Sequence, residues 1–194
     1  MPSNNQRNNE LGFYANIWDS TETKGEYFMK LKFALIGCGR IVQKHADALA
    51  HNVNETELVA VCDINYAKAK YIGEKYGVPY YRKYREMLEK EQIDVICILT
   101  ESGNHAKHAI DVVSKYKKHI VVEKPMALTL EDADKMIENC DKNNVKLFVV
   151  KQNRYNLPIQ KLREALSKGR FGKIVLGTVR VRWWRDQNYY DQDN

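Results

Sequence analysis

The stretch that decides the fold is Lys32-Phe-Ala-Leu-Ile-Gly-Cys-Gly-Arg-Ile-Val-Gln-Lys-His45. Its apolar run, Phe33–Ile36, predicts a buried strand, and apolar residues recur at helical spacing from Ile41 onward. Gly37 permits a tight turn after the strand, and Gly39 lets a pyrophosphate approach the backbone closely. The following helix would aim its free N–H groups and the positive end of its dipole at that anion. The stretch therefore predicts the opening of a dinucleotide-binding unit.

A second feature of the same kind is Asp63, which closes the next apolar strand, Glu57–Asp63. A carboxylate at this place can accept hydrogen bonds from the ribose of a bound adenosine, and it would repel a 2′-phosphate. That predicts NAD as cofactor in preference to NADP. The alternative is that Asp63 caps the helix beginning near Asn65. The full glycine fingerprint is also incomplete, since Val42 stands where a small residue is usual.

The composition indicates a folded protein without membrane or metal functions. The chain has 194 residues, of which 44% are hydrophobic, enough for one full domain and part of another. It has neither an apolar run of membrane-spanning length nor a recognisable signal peptide, so we expect a cytoplasmic protein that does not bind membranes. Four widely spaced cysteines predict buried, reduced thiols and no zinc site. They are Cys38, Cys62, Cys97 and Cys140.

The sequence pattern divides the chain into three parts. Residues 1–29 are polar and aperiodic, and they predict a leader that is disordered or not native to the fold. Over residues 30–151, apolar runs alternate with amphipathic helices, which predicts an α/β fold, a doubly wound parallel sheet of the Rossmann type. Residues 152–194 predict a linker helix and then the first strand, at 174–184, of an incomplete α+β open-sheet domain.

Polar residues gather where the predicted strands end, the edge at which such sheets bind ligands. Among these groups, Glu123-Lys124-Pro125 is the most suggestive, because proline restricts the backbone of the lysine before it. A lysine held in this way can exchange a proton with a substrate hydroxyl while hydride leaves the carbon. The alternative is a surface lysine before a turn. The remaining groups are Gly37–Ile41, Asp63, Thr100–His105 and Lys151–Arg154.

Taken together, these motifs resemble the glucose-fructose oxidoreductase / inositol dehydrogenase / MocA (Gfo/Idh/MocA) family, over residues 30–194. The resemblance implies an NAD(P)-binding Rossmann domain and a sugar dehydrogenase in which Lys124 is the catalytic proton-transfer residue. Glu101 stands where the family often has proline, which puts the shape of that loop in question. The resemblance implies cofactor contacts from Gly37, Gly39, Arg40, Ile41, Asp63, Thr100, Asn104, His105, Glu123, Lys124 and Asn153.

The run Gln152–Pro158 resembles the family segment that joins the two domains. Within it, Arg154 could bind a phosphate or carboxylate of the substrate beside Lys124, or could instead form an ion pair between domains. The run is most similar to nucleotide-sugar members, especially UDP-N-acetylglucosaminuronate 3-dehydrogenases of surface-polysaccharide synthesis. The resemblance also implies that full-length relatives form homo-oligomers and carry a catalytic histidine in a second domain. We therefore expect a truncated member that binds cofactor but turns over weakly or not at all.

Two other classes of function stay open at this point. One is a nucleotide-binding module without catalysis. The other is a nucleic-acid-binding protein that uses the interleaved basic and aromatic residues of Lys173–Arg185, although a half-buried strand with a solvated basic face explains that pattern better. For the histidines outside the motifs, we expect packing or capping at His45 and surface or packing positions at His51, His108 and His119.

Overall fold

The computed structural model describes residues 29–191. The predicted leader therefore lies, except for Met29, outside the described residues. The chain divides into two compact units, one ending at Leu157 and the other beginning at Pro158.

The first unit is built on one six-stranded sheet in which every pairing is parallel. The strand order is β3-β2-β1-β4-β5-β6. Strands β1 to β3 therefore form one half of the sheet, and β4 to β6 form the other half on the opposite side of β1. The switch between the halves lies between β1 and β4, and such a point opens a crevice at the carboxyl ends of the strands. The strands are β1 Leu31–Ile36, β2 Thr56–Cys62, β3 Tyr80–Tyr81, β4 Val95–Ile98, β5 His119–Val122 and β6 Leu147–Val149.

The helices of this unit begin and end at the signals that the sequence carries. Asn65 accepts the N–H groups of Ala67 and Lys68 at the start of one helix, which ends where Gly77 takes a left-handed φ of 68°. Thr129 Oγ1 likewise accepts the Asp132 N–H at 3.1 Å. Local side-chain hydrogen bonds and a left-handed glycine thus fix these helix ends. The helices are α1 Val42–His51, α2 Tyr66–Tyr76, α3 Tyr84–Lys90, α4 His105–Tyr116 and α5 Leu130–Lys142, with 3₁₀ turns at Ser102–Asn104 and Gln152–Tyr155.

Two apolar clusters, one on each face of the sheet, form the core. The central strands are buried on both faces, as expected of a parallel sheet covered by helices. All four cysteines are buried and free, as predicted, and burial raises the pKa of the Cys38 and Cys62 thiols to about 12. In the described part of the chain, the helices are too short or too polar to cross a bilayer.

The second unit, as far as Asp191, contains two helices. They are α6 Leu157–Ser167, whose first residue is the last of the first unit, and the short α7 Gln187–Asp191. The strand predicted over 174–184 is wrong for the described chain, since these residues form no strand and are exposed. Alternating residues favour a strand only when a neighbouring strand supplies ladder hydrogen bonds and a surface to cover. The described residues of this unit contain no strand, so such a partner is lacking there.

Candidate cofactor site

The loop between β1 and α1 is shaped by a glycine that no other residue could replace without strain. Gly37 has a φ of +102°, and a Cβ built on it would lie 2.7 Å from the carbonyl carbon and oxygen of Leu99. Its N–H donates to the Cys62 carbonyl at 2.8 Å. The turn therefore passes directly over the ends of β2 and β4, at the switch between the two halves of the sheet.

The second glycine of the loop, Gly39, is uncrowded, in contrast to Gly37. A Cβ on Gly39 would meet no atom within 4 Å, so this glycine faces open space. Arg40 beside it is exposed and Ile41 is half-buried at the start of α1. In the described structure no side chain caps this helix end. An open glycine ahead of a helix amino end is the arrangement that accepts a pyrophosphate. At the third fingerprint position, Val42 points into the core and is 2% exposed.

Asp63 binds this loop to the end of β2. Its Oδ2 accepts the Cys38 N–H at 2.7 Å, and its Oδ1 accepts the Asn65 N–H at 2.7 Å. Asn65, not Asp63, caps α2, which removes the capping alternative. A carboxylate oxygen can accept more than one hydrogen bond, so the half-buried Asp63 keeps acceptor capacity for a ribose hydroxyl.

After β4 the chain makes a 3₁₀ turn that leads into α4. Glu101 enters the turn with a φ of −62°, close to the value at which proline is fixed. The backbone at Glu101 is therefore one that a proline could also adopt. The Glu101 carboxylate also accepts a hydrogen bond from the side chain of the half-buried Asn104.

Two histidines of α4 contact the loop that follows β4. The buried His105 ring places Nδ1 2.7 Å from the Pro125 carbonyl and Nε2 2.8 Å from the Thr100 carbonyl. His105 thus holds together the loops after β4 and β5, and its predicted contribution to cofactor binding stays a prediction. His108 lies 3.1 Å, through Nδ1, from the Thr100 hydroxyl, and burial lowers the pKa of its ring. The sequence pattern did not show this partnership.

The Glu-Lys-Pro segment follows β5 and is fixed to α1 by a buried pair. His45 Nε2 lies 2.9 Å from Glu123 Oε1, and Glu123 Oε2 accepts the Lys124 N–H at 3.0 Å. Burial alone would raise the pKa of Glu123, but the hydrogen bond and charge of His45, together with Lys124, outweigh it and lower that pKa. Lys124 itself is exposed, and its peptide bond to Pro125 is cis.

The last predicted group follows β6, at the outer edge of the sheet. Asn153 and Arg154 lie in the 3₁₀ turn Gln152–Tyr155, and both side chains are exposed. In the parallel sheet they share the ligand-binding edge with the glycine loop, but three strand spacings separate β6 from β1. The cofactor contact predicted for Asn153 and the substrate contact predicted for Arg154 stay predictions.

The structure therefore brings together, at one edge of the sheet, an open glycine loop, a carboxylate anchored at the end of β2 and an exposed lysine. These groups fit a dinucleotide, because Gly39 leaves room for the diphosphate and α1 presents its uncapped amino end there. In the described residues no group of three or more histidine, cysteine or carboxylate side chains could hold a metal ion.

Comparison with known proteins agrees with this geometry. The Gfo/Idh/MocA model, an oxidoreductase family with an NAD-binding Rossmann fold, matches residues 31–151. A curated relative, myo-inositol 2-dehydrogenase of Thermotoga maritima, is 33% identical over 144 residues, which cover 74% of this chain and 42% of the relative.

Two solved structures resemble the chain more strongly, and both are WlbA dehydrogenases in complex with NADH and UDP-GlcNAcA. The enzyme of Bordetella pertussis has 40% identity and a TM-score of 0.81, over 84% of this chain and 50% of its own. The enzyme of Chromobacterium violaceum has 41% identity and a TM-score of 0.80, over 84% and 47%. The chain thus spans about half the length of these relatives or less. The predicted resemblance to the Gfo/Idh/MocA family is confirmed, and the two WlbA structures hold a nucleotide sugar of the kind that the motifs suggested.

Proposed function

This chain belongs to the Gfo/Idh/MocA family of oxidoreductases with an NAD-binding Rossmann fold, and we propose that it binds NAD for hydride exchange with a nucleotide sugar. The observation that carries the proposal is the placement of the open glycine loop and Lys124 on one edge of the sheet. Only β4 lies between β1 and β5, so the two groups follow strands about 10 Å apart. A dinucleotide gripped at the loop could therefore extend toward the lysine.

The preference for NAD over NADP rests on Asp63. Its carboxylate is anchored by two backbone N–H groups, so it cannot swing away from an incoming phosphate without breaking both bonds. A 2′-phosphate beside this fixed negative charge would be repelled, whereas a ribose hydroxyl could donate to it. We therefore assign Asp63 as the residue that selects NAD.

Lys124 is the proton-transfer residue in this proposal. The bound nicotinamide supplies the hydride acceptor, and Lys124 Nζ takes or returns the proton of the sugar hydroxyl. The lysine backbone is held by Glu123 Oε2, while its side chain is exposed at the strand end, where a substrate can reach it. Arg154 would bind a carboxylate or phosphate of the sugar nucleotide, since arginine recognises both bidentately.

The substrate class rests on the comparisons. The two WlbA enzymes, at about 40% identity, were crystallised with UDP-GlcNAcA, whereas the inositol dehydrogenase is 33% identical. We infer a nucleotide sugar over a free cyclitol. A role in surface-polysaccharide synthesis, a cytoplasmic location and a homo-oligomeric assembly of full-length relatives stay predictions.

The test separates cofactor binding from turnover. NADH and NADPH are titrated by fluorescence into the chain and its Asp63→Ala variant, and hydride transfer is assayed with UDP-GlcNAcA and with myo-inositol. We expect NADH to bind more tightly than NADPH, and the difference to shrink in Asp63→Ala by about tenfold or more. Equal binding of both cofactors before and after the change would contradict the Asp63 assignment.

Any turnover should depend on Lys124. Lys124→Met should retain NADH binding and lose hydride transfer, while Lys142→Met, which removes an exposed helix lysine paired with Glu138, should lose neither. Binding without turnover in the unaltered chain would instead favour the second candidate, a nucleotide-binding module without catalysis.

A further inference from the structure

The buried pair formed by His45 and Glu123 joins two parts of the site that are far apart in sequence. His45 lies on the inner face of α1, one turn into the helix that follows the glycine loop, and is 5% exposed. Glu123 follows β5 and is 8% exposed. Their contact at 2.9 Å spans 78 positions of the chain.

The hydrogen bonds of this pair have a defined direction. An ionised carboxylate can only accept, so His45 Nε2 carries the hydrogen and donates it to Glu123 Oε1. The second carboxylate oxygen then accepts the Lys124 N–H. Both carboxylate oxygens of Glu123 thus accept a hydrogen bond, one from His45 of α1 and one from the backbone N–H of Lys124.

Such a pair is costly to bury, and an apolar pair of similar volume can stabilise a core as well or better. A directional bond between α1 and the end of β5 gives something that apolar packing does not, namely a fixed rotamer for Glu123. The position of Lys124 depends on that rotamer through the bond to its N–H group.

We propose that His45 is a positioning residue, which holds Glu123 so that Lys124 emerges at a fixed place beside the cofactor that α1 binds. The part of this inference that concerns the cofactor rests on the proposed function, whereas the link from His45 through Glu123 to Lys124 does not. The charged groups that act on Glu123 are His45 from α1 and Lys124 from its own loop.

The first experiment needs no cofactor. The carboxyl group of Glu123 is titrated by ¹³C NMR in the unaltered chain, in His45→Phe, which keeps a ring without a donor, and in His45→Gln, which keeps a neutral donor. We expect the Glu123 pKa to rise by about one unit or more in His45→Phe, because burial remains while the donor is lost. His45→Gln should give a smaller rise. The control variant His51→Phe, which changes an exposed histidine on the same helix, should leave the Glu123 pKa unchanged.

The second experiment measures the coupling to cofactor binding. NADH affinity is compared for His45→Phe, Glu123→Gln and the double variant. If His45 acts through Glu123, the double variant should bind NADH no more weakly than the weaker single variant. A purely structural role for His45 would instead give losses that add.

The outcomes distinguish this inference from the proposed function. If the unaltered chain binds no NADH, the proposed function fails, and the titration still decides the role of His45. An unchanged Glu123 titration in His45→Phe would overturn the inference, as would additive losses of NADH affinity. Should His45→Phe not fold, the same titration in His45→Gln decides, and the absence of any rise there contradicts the proposal.

Discussion

Replacement of Gly37 by alanine gives a sharp test of how the loop is built. The new methyl carbon would lie 2.7 Å from Leu99 carbonyl atoms and 2.8 Å from the Thr100 nitrogen, all of them backbone atoms that cannot rotate away. The φ of +102° adds strain of about 1–2 kcal/mol, and the overlap adds about 1–3 kcal/mol. We therefore expect a loss of about 2–5 kcal/mol in the free energy of unfolding.

Urea unfolding followed by circular dichroism measures this loss. With a slope of roughly 2 kcal/mol per molar urea, the unfolding midpoint should fall by about 1–2.5 M. Gly39→Ala is the matched control in the same loop, since its methyl group would meet no atom within 4 Å. Its midpoint should stay within about 0.5 M of the unaltered chain, yet its NADH affinity should fall about tenfold because the methyl group occupies the space left for the diphosphate. Equal midpoints for the two variants would refute the reasoning.

Three further predictions concern other parts of the first unit. The pKa of Glu123 is lowered in the folded chain, so its ionised form contributes stability above pH 4.5, its usual value, and that contribution is lost as the pH falls through the lowered value. The stability gap between the unaltered chain and Glu123→Gln should therefore close in acid, and a constant gap from pH 7 to about 3 would contradict this. Thr129→Ala should lower the free energy of unfolding by about 1 kcal/mol, measured by thermal unfolding, because it removes a helix cap. Thr178→Ala, at an exposed threonine, is the control, and an equal loss in both variants would argue against a cap at Thr129. Because all four thiols are buried and burial raises the pKa of Cys38 and Cys62 to about 12, a thiol reagent at pH 8 should label the chain only after unfolding; fast labelling of the native chain would refute the burial.

The local signals in the sequence were enough to predict the sheet unit. Asn65, Gly77 and Thr129 mark helix ends by hydrogen-bonding and backbone preferences that act within a few residues. Apolar runs predicted the buried strands because a parallel sheet covers both faces of its inner strands. The strand predicted at 174–184 did not form, because an alternating pattern favours a strand only where a neighbouring strand pairs with it.

The site was predicted in its motifs but not in its connections. The sequence pattern predicted that Asp63 lies at a strand end, but only the structure shows its hydrogen bond with the Cys38 N–H. His45 occupies a helical position between apolar neighbours, which is equally typical of packing, and its partner Glu123 is 78 positions away. No local pattern encodes such a contact, and the same holds for His108 with Thr100.

The central claim is that the glycine loop binds the diphosphate and places the nicotinamide beside Lys124. A crystal structure of this chain soaked with NAD⁺ tests it most directly. We expect density for the diphosphate over Gly37–Ile41 and for the nicotinamide ring within reach of the Lys124 ammonium group. Cofactor density elsewhere on the molecule, or none at a saturating concentration, would contradict it.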